Sequence, residues 1–358
     1  MHKKLFIPGP VEVTPESLHD MAVPMVGHRS KDYEKIHAFC VDNVKKVLYT
    51  DKFIWVGTCS STGLMEGAIL NLCRKKVLSV VVGAFSDRWN KIAAADGKDT
   101  ERLDYEWGKA AKPEDIDKML AKGGFDLVTV VFNETSTGVM SPLKDIAEVV
   151  NKYPDVILAV DAVSGMAAAK VEVDAWGIDY ILAGTQKAWS LPPGLAVAAV
   201  SEKCFQRAET VENRGFYFDL LSAREYAAGK RTNQTPSTPG ISLVYALGRQ
   251  AERFSKDLDA HWAKHVEMAK FVREWAKSRG FELFPEPGYE SLSLTCITNT
   301  KGISVADLNS ELGKRGYSLS NGYGKLKEKT FRIAHMGTMT LPEVRDLLLN
   351  VDDILGFK

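Results

Sequence analysis

Six short segments in the middle of this chain are apolar almost without interruption: Phe53–Val56, Val77–Val82, Leu127–Phe132, Val156–Val160, Tyr180–Ala183 and Leu195–Val200. A strand with one face in water alternates apolar and polar residues, so strands that do not alternate must be covered on both sides. Helical patterns occupy several of the gaps. Leu64–Cys73 follows a glycine-containing turn and reads as a helix. Ser141 reads as the N-cap of another, with Pro142 at its first position, Ile146, Val149 and Val150 on its apolar side, and Tyr153-Pro154 at its end. Strand, helix, strand in this order predicts an α/β protein with a mostly parallel sheet.

The pattern changes near residue 250. Phe254–Ala276 places Leu258, Trp262, Val266, Ala269, Val272 and Trp275 at three- and four-residue steps, which predicts one amphipathic helix. Strand-like Ser291–Thr298 follows, then a helix opened by a capping box at Ser304-Val305-Ala306-Asp307. Strand-like Thr330–Ala334 and a last helix after Thr340-Leu341-Pro342-Glu343 complete the chain. Strands and helices mixed in this way predict a smaller C-terminal α+β domain. The expected organisation is an N-terminal segment over 1–15, a large domain over 16–250 and a small one over 251–358.

Composition removes several classes of function. The 358 residues carry 46 Lys+Arg and 46 Asp+Glu, so there is no net field to hold nucleic acid or an acidic membrane without sequence preference. An apolar share of 45% with 26% charged residues belongs to a folded globular chain. No stretch approaches the roughly 20 apolar residues of a membrane helix. The best candidate, Ala188–Ser201, is short and holds Pro192 and Pro193. The N-terminus has lysines but no apolar secretory core. Cys40, Cys59, Cys73, Cys204 and Cys296 are scattered, odd in number and form no CxxC pair, so a reducing cytoplasm and no metal site are expected.

Three segments carry chemistry. In Gly177–Gly194 an apolar strand ends in Ala183-Gly184-Thr185-Gln186, and Lys187 emerges before a Pro-Pro-Gly turn. A strand-end lysine is most often a solvated charge. Small residues beside it, however, let something bulky approach the backbone, and lysine is the side chain whose amine can lose its proton and form a Schiff base. Asp161 closes another apolar strand, where a carboxylate is costly without a partner. It either caps a turn or meets an arginine, or it pairs with a ring nitrogen that must stay protonated. The carboxyl ends of parallel strands face one crevice, which brings Asp161 and Lys187 to one edge. The third segment, Gly57–Glu66, follows a strand and opens a helix with Ser60, Ser61 and Thr62 at the turn, a place for a phosphate. It matches neither nucleotide-binding glycine motif.

A phosphate turn, a buried aspartate and a strand-end lysine are the parts that hold pyridoxal 5′-phosphate. The sequence resembles a class V aminotransferase of fold type I, in the branch of serine–pyruvate and alanine–glyoxylate aminotransferases. The resemblance is carried by Ile7-Pro8-Gly9-Pro10, Glu134-Thr135-Ser136-Thr137-Gly138-Val139, Val160-Asp161-Ala162-Val163-Ser164, Gly184-Thr185-Gln186-Lys187-Ala188 with Pro192-Pro193-Gly194, and Phe331-Arg332-Ile333-Ala334-His335-Met336-Gly337. These run in family order across nearly the whole chain. They imply a large cofactor-binding domain with a seven-stranded type of sheet and a small C-terminal domain.

The resemblance makes Lys187 the Schiff-base lysine and Asp161 the partner of the pyridinium nitrogen. Ser60, Ser61, Thr62 and Gln186 fall by the phosphate, and Thr135 by the phenolic oxygen. Phe85 falls where a ring, often tryptophan, stacks on the cofactor. Arg332 matches the arginine that forks onto an α-carboxylate. The 1–15 segment, through Gly9, borders a small substrate pocket. Gln234 and Ser237, in the loop Asn233–Pro239, fall where relatives reach the phosphate of a neighbouring subunit, which implies a homodimer with shared active sites. The expected reaction moves an amino group from alanine or serine to glyoxylate or pyruvate. Trp189, if it faces inward, restricts bulk, whereas His28 and Arg29 offer a second cation. Aspartate, phosphoserine and 2-aminoethylphosphonate therefore stay open as donors. A cysteine desulfurase is disfavoured because Cys296 lies in an apolar run and Gln186 stands where desulfurases usually carry histidine. A cofactor-holding subunit without turnover is disfavoured by the joint presence of Lys187, Asp161 and Arg332.

Overall fold

The structure, a computed structural model, describes residues 2–357. Its centre is a seven-stranded sheet in the spatial order Phe53–Gly57, Ala196–Val200, Tyr180–Gly184, Ile157–Asp161, Leu127–Val131, Lys76–Val81, Asp99–Asp104. Ala196–Val200 is antiparallel to both of its neighbours, and the remaining pairs are parallel. All six apolar runs are strands of this sheet. The seventh, Asp99–Asp104, reads DTERLD and lies at an edge with much of its surface in water, so it carried no apolar signal.

Successive residues of each inner strand enter different cores. Leu158 and Val160 join a cluster with Val44, Val47, Ile146, Val244 and Leu247, while Ile157 and Ala159 join Leu64, Ile69, Leu72 and Trp89 on the other face. Helices Lys31–Leu48, Leu143–Val150 and Ile241–Ser255 cover the first face, and Ser61–Leu72 and Ala84–Ala95 the second. This double cover is why the strands do not alternate.

A second sheet has the order Lys4–Phe6, Tyr317–Asn321, Thr330–Ala334, Leu294–Thr298, Glu282–Leu283. Residues from Leu258–Ser278, Val305–Lys314 and Leu341–Leu355 pack on it around Phe331 and Ile333. The three-residue strand Lys4–Phe6 pairs in parallel with Tyr317–Asn321, which fastens the N-terminal segment to the C-terminal sheet. Nothing in its sequence announces that pairing.

Several local expectations are corrected. Pro142 occupies the N-cap of Leu143–Val150 rather than its first turn, and the Ser141 hydroxyl donates to Val131 O at 2.9 Å instead of capping. The helix expected over 254–276 is two helices. Ile241–Ser255 ends, and Asp257 caps Leu258–Ser278 by accepting from Ala260 N at 2.9 Å. Val266 is half exposed, off the apolar face. At Ser304 only half of the capping box forms: its hydroxyl accepts from Asp307 N, but Asp307 makes no return bond. Ser291 and Ser293 form a hydrogen-bonded turn before the strand, which begins at Leu294. The helix expected from Leu64 starts at Ser61.

Leu182 is fully buried in the middle of the large sheet. Leu182→Ala should therefore cost about 2–5 kcal/mol, read as a lower urea midpoint of the cofactor-free protein.

Candidate active site

The strand Tyr180–Gly184 stops in a tight loop. Thr185 N donates to Leu195 O at 3.0 Å, its hydroxyl to Pro192 O at 2.7 Å, and Leu191 N returns to Thr185 O at 3.0 Å. Lys187 projects from that loop and its Nζ donates to Pro8 O. Gly9, at φ +119°, lies against the lysine: a Cβ there would come within 2.5 Å of Cδ and 2.8 Å of Nζ. Glycine is required twice over, by backbone conformation and by contact. Val11 N donates to Gln186 O at 3.0 Å, so the N-terminal segment runs across the lysine loop.

Asp161 ends its strand at the same edge of the sheet, in register with Leu182. Its Oδ1 accepts from Val163 N at 2.8 Å, and among the described residues it has no ion-pair partner. Burial pushes its carboxyl up to about 7; the nearby charge of Glu134 adds to this, while Lys187 and Arg88 oppose it. Burial draws Lys187 down to about 8, against the pull of Asp161 and with help from Arg332 and Arg88. The amine therefore loses its proton far more readily than a solvated lysine does.

Between these groups lies a cleft with about 820 Å³ of empty space, its open mouth included, lined by Gly9, Ser60, Ser61, Thr62, Phe85, Arg88, Asn133, Thr135, Asp161, Gln186 and Lys187 among others. Ser60 is the N-cap residue of Ser61–Leu72, with its side chain free of any capping bond. The Ser61 hydroxyl is buried without a partner at that helix N-terminus. A Cβ on Gly184 would sit 2.3 Å from it and 2.5 Å from Gln186 Oε1, so the glycine lets hydroxyl and amide converge. Thr62 Oγ1 accepts from Arg88 Nη1 at 3.1 Å.

Opposite stands Phe85, its ring 5.3 Å from that of Tyr323 and 4.9 Å from the Arg88 guanidinium. The Thr135 hydroxyl pairs with that of Ser164. Arg332 is buried, donates to Thr135 O at 3.0 Å and to Asn321 O at 3.0 and 3.2 Å, and has no carboxylate partner among the described residues. Burial lowers its proton affinity. Two cleft residues escaped the sequence reading. Asn133 is buried with both side-chain atoms unpaired, and Arg88 forms no ion pair among the described residues. A polar residue directly before Glu134 and a cation one turn after Phe85 were the available signals.

Other candidates lie elsewhere. Gln234 and Ser237 do not line the cleft of their own chain: Gln234 donates to Glu34 Oε1 at 2.9 Å, and Ser237 O accepts from the Thr235 hydroxyl. Arg29 is spent on that same loop, donating to Gln234 Oε1, Thr235 O and Pro236 O, so with His28 it offers no second cation to this cleft. Trp189 is fully buried beside Phe254 and faces the core, not the cleft. Cys296 is buried within a strand and burial pushes its thiol up to about 12, the opposite of a mobile, reactive sulfur.

The model of the family described as aminotransferase class V matches residues 16–335. This chain is a class V aminotransferase. It is 37% identical to an uncharacterised aminotransferase of Methanocaldococcus jannaschii, over 98% of this chain and 92% of the other. An L-aspartate–glyoxylate aminotransferase of Paracoccus denitrificans is 30% identical (94% and 87% covered), and a serine–glyoxylate aminotransferase of Methylorubrum extorquens 31% identical (94% and 86%). An aspartate aminotransferase structure from Thermus thermophilus superposes with a TM-score of 0.90 at 28% identity, covering 98% of this chain and 99% of that one. The fold is thus fold type I, and class V aminotransferases of this fold depend on pyridoxal 5′-phosphate. The cleft fits that group: an amine drawn down by burial, a carboxylate lacking a cation, and an unpaired hydroxyl at a helix N-terminus.

Gly9→Ala should displace Lys187 and lower cofactor occupancy while leaving the fold intact, seen as a weaker near-visible band at unchanged far-UV circular dichroism. Attachment through Lys187 would need the neutral amine, so its rate should rise with pH and level off above about 8. A rate still climbing toward pH 10 would show an ordinary solvated lysine.

Proposed function

We propose that this class V aminotransferase moves an amino group from a small amino acid, alanine or serine, to glyoxylate or pyruvate. The observation that carries the reading is the convergence of Lys187, Asp161 and the Ser61 turn on one cleft, with the buried Arg332 behind Thr135. On this reading residues 16–250 hold the cofactor, 251–358 bring Arg332, and 1–15 lie across the lysine. Lys187 is the attaching residue. Ser60, Ser61, Thr62 and Gln186 hold the phosphate, Phe85 covers a ring face, and Thr135 with Asn133 addresses the phenolic side.

When bound, the cofactor supplies an aldehyde carbon for amine exchange and a ring that takes up the electron pair left at the amino acid's α-carbon. The chain does the rest. Asp161 holds a proton at the ring nitrogen; a cation there relieves the carboxylate that burial now disfavours. Lys187, once released, takes the proton from the substrate's α-carbon and returns it to the carbon on the far side of the amino nitrogen, as base and then acid. Arg332, held at Nη1 by Thr135 O, receives the α-carboxylate with the Nε/Nη2 fork that otherwise donates to Asn321 O. Gly9 and Pro8 narrow the space beside the lysine and favour short side chains.

A second reading, aspartate as donor, has one observation behind it: Arg88 is a cation in the cleft without a carboxylate partner among the described residues. The reading also includes a homodimer in a reducing cytoplasm. Phe216 is 94% exposed beside half-exposed Tyr217, and Gln234 and Ser237 lie outside their own cleft, as they would if they served a neighbour's. The five cysteines are free.

The test is a donor panel on the cofactor-loaded protein with alanine, serine, aspartate, phosphoserine and 2-aminoethylphosphonate. Alanine or serine should remove the near-visible band without any oxo acid present, and glyoxylate or pyruvate should restore it, giving parallel double-reciprocal plots. If aspartate alone does so, and Arg88→Gln abolishes it, the second reading holds. Arg332→Lys should raise KM for both substrates by roughly ten- to a hundredfold, since a charge-assisted contact is worth about 1.5–3 kcal/mol. Lys187→Ala should remove the band whatever the donor.

A further inference from the structure

We infer that Glu134 is a positioning residue of this site: its buried carboxylate fixes the segment that carries Phe85 and Arg88 against the segment that carries Asn133 and Thr135. The inference rests on the aminotransferase reading above.

Glu134 is completely buried, and among the described residues no lysine or arginine forms an ion pair with it. A carboxylate in that position is costly unless hydrogen bonds replace water. Here they come from two directions. Phe85 N donates to both oxygens at 3.2 Å, and Ser86 N and its hydroxyl donate to Oε2 at 3.0 Å. Ser136 N and its hydroxyl donate to Oε1 at 3.1 and 2.6 Å. The first set is the N-terminal turn of Ala84–Ala95, whose unpaired N–H groups and positive dipole end favour an anion. Gly83 makes the approach possible: a Cβ there would lie 2.5 Å from Glu134 Cδ and 2.6 Å from Ser136 Oγ.

The consequence reaches both sides of the cleft. Phe85 is one residue from the helix start that Glu134 holds, and Arg88 is one turn on. Thr135 is adjacent on the other side, and its carbonyl orients Arg332 at 3.0 Å. One anion therefore sets the distance between the ring-covering phenylalanine and the carbonyl that aims the substrate arginine. Its charge also acts through space on Asp161 and Arg332.

Glu134→Gln keeps the volume but turns an N–H₂ toward donors that need an acceptor. The apo protein should bind pyridoxal 5′-phosphate at least tenfold more weakly in an absorbance titration. The near-visible circular dichroism of the loaded protein should fall by half or more, and KM for the amino donor should rise about fivefold. Glu134→Asp, one carbon shorter, should not restore any of the three. Ser136→Ala, which removes the 2.6 Å bond but leaves the carboxylate, should shift all three in the same direction by a smaller factor, and it decides the matter if Glu134→Gln does not fold. Cofactor affinity, circular dichroism and KM all within twofold of the wild type would overturn the inference. So would a fall in thermal midpoint alone, or a change in cofactor affinity without one in KM. A wild-type protein that takes up no cofactor sinks the aminotransferase reading instead.

Discussion

A sheet covered on both faces has nowhere to put a charge except at the ends of its strands. That constraint organises this molecule. Strands Ile157–Asp161 and Tyr180–Gly184 are buried along their whole length, and the first charged group each offers is at or just beyond its carboxyl end. Because they run parallel and in register, Asp161 and the loop bearing Lys187 arrive at one edge. The helix after Phe53–Gly57 begins at that edge too, which adds unpaired N–H groups and the Ser61 hydroxyl. The cleft is a consequence of the topology before it is a feature of any side chain.

Once gathered, these groups perturb one another through burial more than through pairing. Lys187 and Asp161 each lean toward the neutral form, and each is partly restored by the other. A tight ion pair between them would have cancelled both tendencies and left an inert amine. Instead, Pro8 O takes the lysine and Val163 N the aspartate, neutral partners that orient without neutralising. The arrangement keeps a nucleophilic amine near neutral pH and a carboxylate ready for a cation. Glu134 shows the contrasting solution, an anion satisfied by five N–H and O–H donors and held in place by them.

The legible part of this molecule was the part dictated by burial. Six of the seven strands of the large sheet, the lysine loop and the placement of Asp161 all follow from unbroken apolar runs, and the family resemblance added expected roles for Phe85, Thr135 and Arg332. What escaped was decided by contacts far apart in sequence. The edge strand Asp99–Asp104 has no apolar side to reveal. The break after Ser255 hid inside a continuous helical period, because Asp257 ends one helix and caps the next without disturbing the apolar spacing. Trp189 sits two residues from the lysine yet points into the core, and Arg29, a plausible anion reader in sequence, is consumed by carbonyls of Thr235 and Pro236. Asn133 and Arg88 were invisible for a different reason: each is an ordinary residue beside a more conspicuous neighbour.

The pairing of Lys4–Phe6 with Tyr317–Asn321 gives the N-terminal segment a mechanical meaning. Lys4 N donates to Gly316 O at 2.8 Å, and Phe6 lies opposite Leu319 in the same sheet that carries Arg332. Two residues later the backbone crosses Lys187, with Pro8 O on the amine and Gly9 against its carbon chain. The lysine's cover is thus an extension of the arginine's sheet rather than a loop of the domain that holds the lysine. Placement of the amine and of the guanidinium is set by one continuous piece of hydrogen-bonded backbone. A substitution that loosened the short strand would disturb Lys187 and Arg332 together, although it touches neither.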